Sequence, residues 1–201
     1  MSWIDIIPYA ASEGRLRRLY DRVKGPEDNV DNIMLAHSLR PHSMEGHMAL
    51  YKNVIHHAGN TVPKWFLEAL GVYVSILNKC AYCVDHHFEG MKRLVDNPAK
   101  SAAIFEALES EQFGGAFSTK HSAAFFYAKI LTESAELVRS SDIESLRSEG
   151  WPDAEILEIN QVVAYFNYAN RTVLGLGVHT EGDIVGLSPG DSEDPDNWQH
   201  S

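Results

Sequence analysis

The sequence has no run of 18 uncharged apolar residues, which excludes a helix that crosses a membrane. Strand-like alternation of apolar and polar residues is almost absent, so a sheet is not expected. Cysteine is scarce, with two residues in 201, and a disulfide framework is therefore excluded. The two stand together in Cys80-Ala81-Tyr82-Cys83, where a bridge would close too short a loop to staple a fold. Basic residues are in deficit: 17 Lys and Arg stand against 28 Asp and Glu, a net charge of -11 that repels nucleic acid. Met1-Ser2-Trp3-Ile4-Asp5 has neither the basic start nor the apolar core of a secretion signal, so the expected location is the cytoplasm.

What is present is a soluble globular composition, 44% apolar and 10% aromatic. Helical periodicity dominates and predicts an all-α chain, a single domain over residues 1–188. Helices are expected at about 13–24 and 32–39, from Pro41, from Pro63 to about Leu77, and from near Cys83 to before Asn97-Pro98. Further helices follow at about 99–108 and 120–132, after a cap at Ser141-Asp142, and from Pro152 to about Leu174, where Gly175 and Gly177 stop the last one. The final segment, Pro189 to Ser201, carries Asp191, Glu193, Asp194 and Asp196 with no Lys or Arg, and its composition predicts an acidic disordered tail. A weak echo relates Pro63…Leu67-Glu68 to Pro152…Leu157-Glu158. As an internal duplication it would leave one active half, since Asn170, Val173 and Gly177 fall where Cys80, Cys83 and His87 stand.

Chemistry concentrates around the cysteines. Cys80, Cys83, Val84, His87, Met91 and Leu94 recur at steps of three and four and share one helix face. His86, rotated by about 100° from His87, is read as a surface histidine, and His56-His57 as a helix-end or surface pair. A thiol in the first turn of a helix, one turn before a histidine, is easily ionised, which nominates Cys83 as thiolate and Cys80 as the partner that resolves a sulfenic acid. Glu68 is the only charged residue between Trp65 and Asn78, and a carboxylate in an apolar run must find a partner or hold a proton. Together with His87 it makes a plausible proton relay. Tyr82, between the cysteines, is a candidate substrate contact. Two other chemistries use the same residues. Two thiolates, an imidazole and a carboxylate suffice for a zinc site, and Glu68 with His87 could transfer protons on a small organic acid without any cofactor.

The pattern Glu68-x11-Cys80-x2-Cys83-x3-His87 resembles the signature of the alkyl hydroperoxidase D and carboxymuconolactone decarboxylase family, in particular its peroxidase-related branch. The resemblance extends from about Ile4 to Glu181, through His37-Ser38-Leu39-Arg40-Pro41, Met48-Ala49-Leu50-Tyr51, Gly150-Trp151 and the stretch from Val163 to Arg171. It implies a helical bundle that assembles as a dimer, trimer or hexamer. The implied activity is reduction of hydrogen peroxide or alkyl hydroperoxides, without haem or metal, with electrons from a thiol or dithiol reductant or an adaptor protein. Cys83 would be attacked first, Cys80 would resolve it, and Glu68 and His87 would relay protons. The founding peroxidases carry a histidine between the cysteines, where this chain has Tyr82; the decarboxylase branch lacks the cysteine pair.

Overall fold

The computed structural model describes residues 2–201. Among them nine α-helices and no strands occur: α1 Gly14–Val23, α2 Asn32–Ala36, α3 Pro41–Ile55, α4 Lys64–Leu77, α5 Ala81–Val95, α6 Pro98–Ser110, α7 Thr119–Glu133, α8 Ser140–Ser148 and α9 Asp153–Leu176. The all-α expectation holds, and each helix expected from periodicity is present. None of the described helices is long and apolar enough to cross a membrane.

The helix α4 is the axis of the bundle. Every residue from Phe66 to Ser75 is buried, as a helix apolar on all faces requires. Packed around it are α5, α6, α7 and α9. Proline opens α3 and α6 at the first helical position, while Pro63 and Pro152 stand one residue earlier, at the N-caps of α4 and α9. The start of α8 is fixed by Asp142, whose carboxylate accepts the Arg139 N–H at 2.7 Å, so the acid caps the turn and Ser141 does not. Glu158 of α9 reaches across to the start of α4, accepting the N–H groups of Thr61 at 3.0 Å and Val62 at 2.8 Å.

Helices α4 and α9 meet at Gly71, where α4 passes beneath the ring of Phe166. A Cβ at Gly71 would run into the Phe166 ring, whose side chain is fully buried. Gly71→Ala is therefore expected to destabilise the fold by about 1–3 kcal/mol, the usual cost of overpacking a core. Urea unfolding would check this through a lowered midpoint at unchanged slope. Despite the sequence echo, α9 passes unbroken through Asn170 and Val173, where the first half breaks between α4 and α5. Gly177 ends it in the left-handed region at φ 63°.

The segment from Pro189 to Ser201 departs from the disordered tail that its composition suggests. It folds back onto the bundle through an isolated bridge between His57 and Ser192 and closes on itself through another between Pro189 and His200. Trp198 and His200 are buried. Two of the four acids that suggested disorder are paired with distant cations, Asp191 with Lys64 at 2.6 Å and Asp196 with Arg22 at 2.9 Å. Arg22 also lies 3.7 Å over the Trp198 ring. Composition registers the charges of the segment but not the bundle's complementary ones.

Candidate active site

The turn between α4 and α5 places the two sulfurs. Lys79 takes a left-handed conformation at φ 58°, and Cys80 follows as the N-cap of α5. A polar net holds this turn against α9. The Asn78 amide donates to the side-chain oxygens of Asn167 and Asn170, both at 3.0 Å. Asn170 donates to Ser75 Oγ at 3.0 Å, and the Cys80 N–H donates to the Ser75 carbonyl at 2.9 Å. Cys80 and Cys83 are both buried free thiols, and their sulfurs lie 3.2 Å apart.

One turn further along α5, His87 meets Glu68 of α4. Its Nδ1 lies 2.7 Å from Glu68 Oε2, and the carboxylate is buried. The apolar run around Glu68 thus encloses a carboxylate with a partner, as the cost of burying an unpaired one demands. Phe166 holds the His87 ring edge-on at 4.5 Å. With Nδ1 committed to Glu68, Nε2 is the ring nitrogen left to exchange a proton. On the other side of Glu68, His56 Nε2 lies 3.9 Å from Oε1, and neither ring nitrogen of His56 has a hydrogen-bond partner. His56 is fully buried rather than at the surface, because the C-terminal segment covers the end of α3.

Cys83, His87, Glu68 and Tyr82 all border one cavity of about 40 Å³. Tyr51 and Tyr165, stacked at 5.5 Å, form part of its wall. Burial pushes both phenols far up, which keeps them protonated and able to donate. Cys80 does not border the cavity. The four residues expected to carry chemistry are therefore adjacent, but only one sulfur faces the open space.

Acidity is divided the other way. The Cys83 thiol beside Cys80, aided by the Cys83 amide and the Asn170 carboxamide, draws the Cys80 thiol down against the cost of burial. The same contact, with burial, pushes Cys83 well up. Burial opposes the helix-start argument for a Cys83 thiolate, and the one negative charge belongs to the coupled pair, shared across the contact.

One further expectation changes. His86 is buried, not at the surface, with Nε2 at 3.2 Å from Asp183 Oδ2. Tyr82 borders the cavity, but its hydroxyl is occupied: it donates to Asp183 Oδ2 at 2.7 Å and accepts the Ile33 N–H at 3.2 Å. The sequence reading missed Asp183, His56, Tyr51, Tyr165 and His200, all near the cavity or its relay. Trp198, an aromatic residue in an otherwise polar tail, was the one signal that this tail packs. Among the described residues no three His, Cys, Asp or Glu side chains are arranged to hold a metal ion, so the zinc alternative has no donor set there.

Solved structures share this architecture. An uncharacterised peroxidase-related protein from Ralstonia eutropha, described as an alkylhydroperoxidase AhpD core, superposes with a TM-score of 0.73 at 21% identity, over 89% of this chain and 91% of that one. A peroxidase-related protein from a Silicibacter species gives 0.74 at 22% identity, over 92% and 95%. The debrominase Bmp8, solved with a tribromopyrrole, gives 0.64 at 18%, over 82% of each chain. No model of a known protein family and no curated protein matches the chain. The chain has the all-helical fold of the alkylhydroperoxidase D core, as the resemblance in its sequence implied.

Proposed function

We propose that this protein is a thiol peroxidase that reduces hydroperoxides at Cys83 and closes a Cys80–Cys83 disulfide. The observation that carries the reading is two free sulfurs 3.2 Å apart, one of them at a cavity that also holds the Glu68–His87 pair. The shared fold with peroxidase-related proteins supports it.

One negative charge is shared by the thiol pair, and the proton it gives up passes to the Glu68–His87 relay. A proton shift across the 3.2 Å contact turns Cys83 into the thiolate and Cys80 into a thiol. The Cys83 sulfur then attacks one peroxide oxygen. An S–O bond forms, the O–O bond breaks, and the leaving alkoxide or hydroxide takes the proton from His87, whose orientation Glu68 fixes. Cys80 next attacks the sulfenic sulfur. An S–S bond forms, and the hydroxyl leaves as water with the Cys80 proton. The sulfurs must close from 3.2 Å to about 2.0 Å, the length of a disulfide bond. A dithiol reductant then returns two electrons by exchange, becoming a disulfide itself.

Stopped-flow oxidation of the reduced protein by hydrogen peroxide, followed by mass spectrometry of the peptide containing both cysteines, tests the reading. An intrapeptide disulfide formed within the transient is expected; thiols left unreacted by excess peroxide would reject it. Glu68→Gln removes the charge that orients His87 and is expected to slow the oxidation step by about 10²-fold, at the lower end for a lost acid–base group. The cofactor-free proton-transfer alternative uses the same Glu68–His87 pair but leaves the sulfurs idle, so the disulfide separates the two. A bromopyrrole such as that solved with the debrominase is not the favoured substrate, because the cavity holds about 40 Å³.

A further inference from the structure

Part of the cavity wall is supplied by the segment that follows α9. Asp183 pins its start, accepting the Asn32 N–H at 3.0 Å and the Tyr82 hydroxyl at 2.7 Å. Gly186 then passes directly against α5 with φ at 84°. A Cβ there would lie 2.7 Å from Glu89 Cβ and 3.2 Å from the Gly90 nitrogen, so only glycine lets the segment lie this close. Leu187 and Ser188 cross the cavity, and His200 returns beside them, bridged to Pro189. Beyond the crossing, the fully buried Lys52 holds the segment down. Its ammonium donates to the carbonyls of His56 at 2.9 Å and Gly190 at 2.5 Å and to Ser192 Oγ at 3.1 Å. Trp198 packs under Arg22 at the far end.

The crossing is thus anchored on both flanks, and the space beneath it is small. On the scale where one water needs about 10–15 Å³, a cavity of about 40 Å³ has room for a few water-sized groups. Hydrogen peroxide fits that space. The branched carbon of tert-butyl hydroperoxide and the ring of cumene hydroperoxide do not.

We infer that residues 183–200 roof the site and set its substrate class: hydrogen peroxide is admitted, alkyl and aryl hydroperoxides are shut out, and Leu187 is the side chain that determines this specificity. The inference rests on the peroxidase reading above.

Two measurements on the full-length protein test it. The first is the rate of oxidation of the reduced protein by hydrogen peroxide, tert-butyl hydroperoxide and cumene hydroperoxide. The expected preference for hydrogen peroxide over cumene hydroperoxide is at least about 10²-fold, the scale at which a pocket rejects an oversized substrate. Leu187→Ala, which opens the roof, and Gly186→Ala, which lifts it off α5, are each expected to narrow that ratio to within about tenfold. The second is alkylation of Cys83 under native conditions by iodoacetamide and by pyrene maleimide, located by mass spectrometry, which needs no peroxide chemistry. The bulky reagent is expected to lag in the unaltered protein and to catch up in both variants. Should Gly186→Ala fail to fold, Leu187→Ala decides alone.

Equal rates with all three peroxides in the unaltered protein would overturn the inference and leave the peroxidase reading standing. So would a Leu187→Ala protein that keeps both the peroxide ratio and the alkylation gap. If no peroxide reacts while the alkylation gap is present, the peroxidase reading falls and the substrate assignment with it.

Discussion

Cys83→Ser is expected to abolish peroxide consumption, by at least about 10³-fold, the scale on which removing a nucleophile acts. A serine hydroxyl is not ionised near neutral pH, and no second thiol borders the cavity to take over. Cys80→Ser is expected to behave differently. It removes the group that accepts the Cys83 proton across 3.2 Å, so the first oxidation slows. It also removes the resolving thiol, so the product is a sulfenic acid on Cys83, heavier by one oxygen, instead of a disulfide. Mass spectrometry after a single turnover separates the two variants, and trapping with dimedone confirms the sulfenic acid. This pair of variants decides a conflict within the site. Acidity favours Cys80, whereas access favours Cys83. Access is argued to prevail, because a proton crosses a thiol–thiol contact far more easily than a peroxide reaches a sulfur outside the cavity. A sulfenic acid found on Cys80 in the Cys83→Ser protein would show that acidity prevails.

The parts of this site legible in the sequence are those set by local periodicity. Cys80, Cys83 and His87 share a helix face at any packing, and Glu68 stands out because nothing near it in sequence is charged. Their approach in space required only that α4 and α5 be neighbours across a short turn, which Asn78 and Lys79 supply. The roof was illegible because its contacts join residues far apart in the chain. Tyr82 meets Asp183 across 101 positions and Lys52 meets Gly190 across 138. The same distance hid His86: its helix face is polar in pattern and looks solvated until the segment around Asp183 is laid upon it. His56 was misread for a related reason, since the end of α3 is exposed in an isolated helix and covered here. Periodicity reports which residues share a face, not what comes to cover it.

The covering segment has a thermodynamic consequence. Three histidines, His47, His56 and His200, are deeply buried, and burial pushes each of them down from the ordinary value of 6.5, His47 to about 3. Both ring nitrogens of His56 and Nδ1 of His47 lack hydrogen-bond partners, so an added proton there would have no acceptor within hydrogen-bond distance. When the chain unfolds these imidazoles regain their ordinary affinity for protons. Between pH 6.5 and the depressed folded values the unfolded state therefore binds more protons, and stability rises with pH across that window. The contribution of each histidine is present in full above pH 6.5 and is lost as the pH falls; for His47, held at about 3, the loss between pH 6.5 and 5 is on the order of 2 kcal/mol. Asp31 opposes them. Burial raises it, so that the folded state holds its proton to higher pH than the unfolded state does, which works against the histidines. The loss from His47 alone is a noticeable share of the roughly 5–15 kcal/mol that stabilises a domain. Urea unfolding at pH 7.5, 6.5 and 5.0 reads this directly, and His56→Phe, which fills the site without a titrating group, is expected to flatten the slope by one proton. A stability that does not change from pH 7.5 to 5.0 would show that these rings take up protons in the folded protein, and hence that water reaches them beneath the C-terminal segment.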